Sequence, residues 1–372
     1  MSINKQHLFA NANTLWTKKW NQMIETIPKK YWEMISYNHN LSMDFVLKHI
    51  DKSWNWHSLS TNPVITFKDY QKHPNFDWDI SEVCMKDGAT FDDIIQHLEL
   101  QEKWMAMSCN PNVPFAYVMQ HPDKPWEWNM LSGNPSIVFD YVLQHPELPW
   151  NWVSLSANKA VSLDQVLQHL EKPWNWFYVS KKKGITMDFV LQHPELPWDW
   201  FSLSCSKEIT MDDIIKHIEK PWKWMVVSYK STINIGHLLE YPGLPLDFAR
   251  LSTNSCIKFE DILQNRSMPW RWNKIHENPN VTYETMMQYP KLLHDWESFS
   301  RNPNVTPDHI LQNLDKKWDW VGICRNNMDL GKKAFIKDYI SKSVKKAQIT
   351  RMLNKMPKLN SDIIQIVVDY VV

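Results

Sequence analysis

A 24-residue period runs through this chain without insertion or deletion, and that regularity leaves few folds open. Its frame is a W-x-W segment. The second tryptophan recurs at Trp56, Trp104, Trp128, Trp152, Trp176, Trp200, Trp224, Trp272, Trp296 and Trp320, with Ile80 and Phe248 filling the gaps and Trp32 one unit upstream. The first recurs at Trp54, Trp78, Trp126, Trp150, Trp174, Trp198, Trp222, Trp270 and Trp318; only Trp16 and Trp20 lie outside the two columns.

Each unit reads as helix, turn, helix, turn. A Ser or Thr stands at a helix-start column (Ser42, Thr66, Thr90, Ser162, Thr186, Thr210, Thr282, Thr306), where its oxygen can accept an unpaired first-turn amide. An acidic residue follows two positions later, as at Asp188 and Glu284, suited to the positive end of the helix dipole. Apolar residues before the cap and at the fourth helical position, such as Ile185 and Val190, form a hydrophobic staple. The first helix stops near His-Pro, because a residue before proline leaves the helical region. A second helix, W-x-W-x-x-[LVI]-S, stops at Asn or Asn-Pro, and asparagine there suits a left-handed cap.

Two helices of about two turns cannot bury a core alone, but stacked units can. The sequence therefore predicts an all-α protein, a right-handed superhelical α-solenoid of short helix-turn-helix repeats. Its repeats span residues 30–328, with an N-terminal helical cap over 1–29 and a basic helical cap over 329–372.

Composition narrows the function. Glycine occurs only 7 times against 22 tryptophans, too few for glycine-rich phosphate loops or dinucleotide turns. Lys plus Arg (41) equals Asp plus Glu (41), so no global field pulls the chain toward nucleic acid. Five cysteines without a CxxC pair read as reduced thiols. No secretory leader and no apolar run long enough to span a bilayer is expected. No nucleophile with a partnering base and no HExxH appears, so an enzyme is not expected, nor a cofactor.

The conspicuous columns have structural explanations. The second tryptophan is replaced only by apolar residues, which predicts burial; Glu102, Leu246 and His294 replace the first, which predicts a half-exposed ring. The histidine column, His49 to His217, cannot hold a metal. Equivalent residues lie roughly 10 Å apart, whereas zinc ligands sit about 2 Å from their ion. Tyr241, Asn265, Tyr289 and Asn313 continue it, which points to a ladder of hydrogen bonds. The residue between the tryptophans is always polar, so that column is solvated. Positions after the second tryptophan vary, as a solenoid's binding surface does. Phe177, Tyr178, Phe201, Met225, Val226, Arg250 and Arg271 are the candidates for a partner-binding surface. In the basic tail, Lys332, Lys333, Lys337, Lys345, Lys346 and Arg351 are candidates for contact with nucleic acid or an acidic protein.

The recurrent [HN]P-x-x-P-W-[ND]-W-x-x-[LV]-S-x-N-P-x-[IV]-T-x-[DE] unit, over about residues 30–328, resembles the tandem-repeat proteins of large DNA viruses of amoebae such as mimivirus relatives. That resemblance implies a source and an architecture, with the host cytoplasm, viral factory or virion as the setting. The ending M-P-K-L-N-S-D-I-I-Q-I-V-V-D-Y-V distantly resembles the F-box-like C-termini of some viral repeat proteins, which recruit ubiquitin ligases. The expected function is a non-enzymatic protein-interaction scaffold. A single-stranded RNA- or DNA-binding helical-repeat protein and a structural virion component are the alternatives. The expected partner is a protein or nucleic acid and not a membrane.

Overall fold

The computed structural model describes residues 5–86, 88–97 and 100–353; the F-box-like ending lies outside them. The described residues form 27 α-helices and one short 3-10 turn, with no strand, so the chain is an all-helical repeat protein. It divides into two compact units, residues 54–271 and residues 1–53 with 272–372.

One repeat of the 54–271 unit shows the plan. Its first helix, Phe139–Gln144, ends at His145 before Pro146, and its second is Trp152–Ala157. First helices start at the expected caps: Thr186 accepts the Phe189 amide at 3.2 Å. At Thr66, Ser162 and Thr210 a reciprocal capping box forms, with the residue three after the cap (Asp69, Gln165, Asp213) as partner. Second helices are capped too, by the polar residue between the tryptophans. Asn151 accepts the Ser154 amide at 2.9 Å and Asp199 the Ser202 amide at 2.7 Å. At its asparagines and aspartates that column is therefore a helix cap, where the sequence suggested only a solvated position; Glu127 and Lys223 make no such bond.

The two tryptophan columns exchange the roles expected of them. The first is buried, with Trp78, Trp126, Trp150, Trp174, Trp198, Trp222, Trp270 and Trp318 at most 9% exposed. The indole N–H explains why. It donates to the backbone carbonyl five residues earlier, for example Trp174 to His169 at 2.8 Å and Trp270 to Asn265 at 2.9 Å. A buried indole thus stays satisfied without another side chain. The second tryptophan is half-exposed in most repeats; Trp32 and Trp104 are the buried ones. It lies edge-on to the first tryptophan of the next repeat: Trp152 and Trp174 at 5.1 Å and 85°, Trp176 and Trp198 at 5.2 Å and 90°. Phe248 keeps that contact with Trp270 at 5.3 Å and 71°, whereas Ile80 stands where the next repeat has Glu102 in place of the first tryptophan.

Two polar columns join neighbouring repeats. The serine ending the second helix donates to the carbonyl four residues back and accepts the backbone amide nineteen residues on. Ser156 does so with Trp152 at 2.7 Å and with Asn175 at 2.9 Å. Buried His276 replaces it once, its Nε2 accepting the Asp295 amide at 3.2 Å, and burial lowers its pKa. Cys84 and Cys324, buried free thiols, stand in the same column, and burial pushes Cys324 up to about 12.

The asparagine two residues later carries most of the joint. Asn158 Nδ2 donates to the carbonyls of Ser132, Asn134 and Ile137 at 3.0, 3.0 and 3.1 Å, and its Oδ1 accepts the Ala160 amide at 2.8 Å. Its backbone is extended (φ −63°, ψ 125°), not left-handed. The asparagine is there for its side chain, which pairs carbonyls that the helix end leaves open.

Lysine takes this column at Lys86, Lys182 and Lys230. Lys182 Nζ donates to Asn158 and Val161 carbonyls at 3.1 and 2.7 Å, and Lys230 Nζ to those of Ser206 and Ile209 at 2.6 and 2.8 Å. An ammonium has donors and no acceptor, so only the donor half of the asparagine's role survives. Two residues after Lys86 and Lys182 the backbone turns left-handed, at Gly88 (φ +93°) and Gly184 (φ +92°). Burial lowers the pKa of all three lysines, to about 8 at Lys182 and Lys230.

In the other unit the two terminal segments, expected as caps at opposite ends, pack on each other. The N-terminal helix Lys5–Ile24 buries Ala12, Trp16, Trp20, Met23 and Ile24 along one face, a helical spacing. Trp16 lies 5.5 Å from Phe335 of the C-terminal helix Asp329–Leu353, and Lys19 pairs with Asp308 at 2.6 Å. Gly331 lets that helix approach: a Cβ there would stand 2.5 Å from the Val305 carbonyl. The first asparagine of the column, Asn38, donates to Cys324 and Asn326 carbonyls at 2.9 and 3.0 Å.

Candidate interaction surface

The frame consumes most of the polar side chains at the joints, so what remains exposed and apolar stands out. The residue after the second tryptophan is the second of the second helix, exposed where the residues two and three further on are buried, as Leu155 and Ser156 are after Val153. In four consecutive repeats of the 54–271 unit it is Val153, Phe177, Phe201 and Met225, exposed by 48, 37, 40 and 57%. Phe177 and Phe201 stack across one repeat step, with centroids 6.2 Å apart and planes 23° from parallel. Tyr178 meets Phe177 edge-on at 5.1 Å. Lys181 sets its ammonium 3.5 Å from the centre of the Phe177 ring, a cation–π contact.

Of the seven residues expected on this surface, the structure brings Phe177, Tyr178 and Phe201 into ring contact and places Met225 one repeat further in the same column. Val226 is half-buried. Arg250 is half-buried with its guanidinium 4.6 Å above the Tyr229 ring. Arg271 is exposed, and its amide belongs to the joint, donating to Ser252 Oγ at 3.0 Å.

A second apolar column escaped the sequence reading. It lies late in the first helix, where Leu143, Leu191 and Leu239 are 38, 37 and 55% exposed; three residues on, Leu170 and Ile218 are 49 and 51% exposed. These positions follow core residues such as Val142 and Val190 by one, so helical periodicity assigns them to the core flank. A helix of six residues between two turns is too short to cover that flank.

The basic C-terminal helix carries Lys333, Lys337, Lys345, Lys346 and Arg351 as exposed residues. Lys332 is different. It is half-buried, its ammonium donates to Asn40 Oδ1 at 3.2 Å, and burial lowers its pKa.

The rings of the histidine column meet the preceding repeat at some positions, as His145 does Phe115 at 5.8 Å and His169 does Phe139 at 5.4 Å. Its carbonyls take the tryptophan N–H groups, and its rings reach local glutamates, as His145 Nδ1 does to Glu147 at 3.2 Å. Among the described residues no group of three His, Cys, Asp or Glu side chains could hold a metal ion, and no helix is long and apolar enough to cross a membrane. No family model, curated protein or solved structure matches this chain.

Proposed function

We propose that the protein is a non-enzymatic interaction scaffold whose protein partner packs against the column formed by Val153, Phe177, Phe201 and Met225. The supporting observation is the repetition of an exposed apolar side chain at one register of four consecutive repeats, on a backbone pinned by buried hydrogen bonds. Exposed apolar residues scattered singly need no explanation, but an ordered row of them marks a contact surface. Aromatic side chains on a rigid support also lose little entropy when a partner covers them. The proposed setting, an infected host cell with a host or viral protein as partner, rests on the resemblance of the repeat unit to those of large amoebal viruses.

The test is affinity capture with the whole chain from infected cells, with and without nuclease. Phe177→Asp, Phe201→Asp and, as a control, the exposed Lys223→Ser run alongside. The reading predicts a defined protein retained after nuclease, bound by Lys223→Ser, and reduced at least tenfold by either aspartate. Capture of nucleic acid alone, or a partner indifferent to both aspartates, would reject it.

A further inference from the structure

One turn of the repeat array differs from the others in charge. Most repeats end their second helix with a neutral Ser-x-Asn step, whereas residues 180–184 read Ser-Lys-Lys-Lys-Gly. Beside this turn lies a cleft of about 590 Å³ whose wall includes Lys159, Lys181, Lys182, Lys183, Ser162 and Tyr178, and no acidic residue.

Several lysines in the turn before the second helix have carboxylate partners: Lys124 with Asp123 at 2.8 Å, Lys172 with Glu171 at 3.7 Å, Lys316 with Asp315 at 2.6 Å. Among the described residues, no carboxylate lies within 4.0 Å of the ammonium groups of the four cleft lysines. Two of the four are also held in place. Lys182 is tied to the Asn158 and Val161 carbonyls, and Lys181 sits over the Phe177 ring. Glu208, on the following repeat, has both oxygens at 3.1 Å from the Gly184 amide and so borders the turn without pairing with a lysine.

We propose that this cleft binds a small ligand bearing a polyphosphate chain. Four ammonium groups without counter-ions match a chain carrying three or four negative charges. Lysine reads phosphate as a point charge rather than a planar fork, which fits phosphate oxygens better than a single carboxylate. The Ser162 hydroxyl accepts the Gln165 amide at 3.2 Å and retains its own proton to donate. Tyr178 adds a ring at the cleft wall, so a free polyphosphate and a nucleoside triphosphate share the required chemistry.

Burial holds the Lys182 amine at about 8 with no opposing charge to raise it. An anion in the cleft raises it, so binding takes up protons near pH 8 and weakens above it. Lys159, Lys181, Lys183 and Tyr178 are the other titratable groups of the wall, and Glu208 borders it.

The test is calorimetric titration of the full chain with tripolyphosphate and, separately, ATP, at near-physiological salt and at pH 7 and pH 9. The expected result is saturable 1:1 binding that weakens several-fold at pH 9 and is at least tenfold weaker in the Lys181→Ser/Lys183→Ser double variant. Lys182→Asn, which preserves the carbonyl bonds used by other repeats, weakens it by a similar factor, with unfolding curves confirming that the variants fold. Equal affinity for both probes assigns recognition to the phosphate chain; tighter ATP binding adds the nucleoside. Absence of saturation at millimolar ligand overturns the proposal. So does equal weakening by the control Lys223→Ser, which would show diffuse charge attraction.

Discussion

The side-chain amide of Asn38 donates to the backbone carbonyl of Asn326 at 3.0 Å, although 288 residues separate them. With its second bond, to Cys324, it repeats what Asn326 does to Asn302 and Ser300 at 2.8 and 2.9 Å. Asn38 treats the last repeat as though it were the preceding one in sequence. Asn38→Ala leaves those two carbonyls short of a donor, and a buried unpaired acceptor costs about 1–3 kcal/mol. The expected outcome is a lower urea midpoint together with faster hydrogen exchange in Trp320–Arg325. Unchanged exchange in that helix would mean that the bonds do not hold the joint.

Lys230 allows the buried-amine account to be tested by pH. Its folded-state pKa is about 8 against an ordinary 10.5. Below pH 8 both folded and unfolded chains carry the proton, and folding bears the full cost of burying the charge. Between 8 and 10.5 the folded chain sheds its proton first, so stability rises with pH in that window. Lys230→Asn removes this term. The variant should exceed the parent in melting temperature at pH 7, with the gap narrowing toward pH 10. Lys230→Ala, lacking any donor for the Ser206 and Ile209 carbonyls, should be less stable than either. A Lys230→Asn protein that melts below the parent at pH 7 would refute the account.

The exchange of roles between the tryptophan columns predicts an order of mutational cost. Trp174 is 7% exposed and bonded to the His169 carbonyl, whereas Trp176 is half-exposed. Trp174→Ala should cost about 3–5 kcal/mol, and Trp176→Ala clearly less. Denaturant unfolding of the pair decides it, and the reverse order would restore the assignment suggested by sequence.

Gly184 and Gly243 both have open space where a Cβ would stand, and only Gly184 has positive φ. Conformation alone therefore separates Gly184→Ala from Gly243→Ala. The first should lose about 1–2 kcal/mol, the strain of an L-residue in the left-handed region. The second should be neutral or slightly stabilising. Equal effects in melting experiments would remove backbone strain as the reason for glycine at 184.

The repeat, its helix starts and its stops were legible because caps and prolines act within a few residues, and their chemistry is written locally. The roles of Trp174 and Asn158 were not. Whether an indole faces core or solvent depends on where its N–H finds an acceptor, and for Trp174 that acceptor is the backbone of His169, which no residue type signals. Asn158 reads as a helix stop, a local role that conceals bonds to carbonyls up to 26 residues earlier. Lys182 in the same column was a signal that could have been used. A lysine replacing asparagine at a helix stop makes little sense for a left-handed cap and good sense for a donor to carbonyls. Of the candidate surface, Phe177, Phe201 and Met225 were accessible to sequence because substitution among repeats was unconstrained there. Leu191 was hidden by its helical spacing from core residues.

The joint at Asn38 also gives the folding reaction a sequence of events. The joints of Asn110, Asn134, Asn158, Asn254 and Asn302 span 21 to 26 residues, whereas those of Asn38 span 286 and 288. Loop-closure entropy grows with the logarithm of length, so a twelvefold longer loop costs roughly 2 kcal/mol more to close from an open chain. Nearest-neighbour joints form without waiting for the termini, and each shortens the search that remains. The terminal joint is then expected to close last, and in rising urea hydrogen exchange in Trp320–Arg325 is expected to quicken before that in Trp152–Ala157.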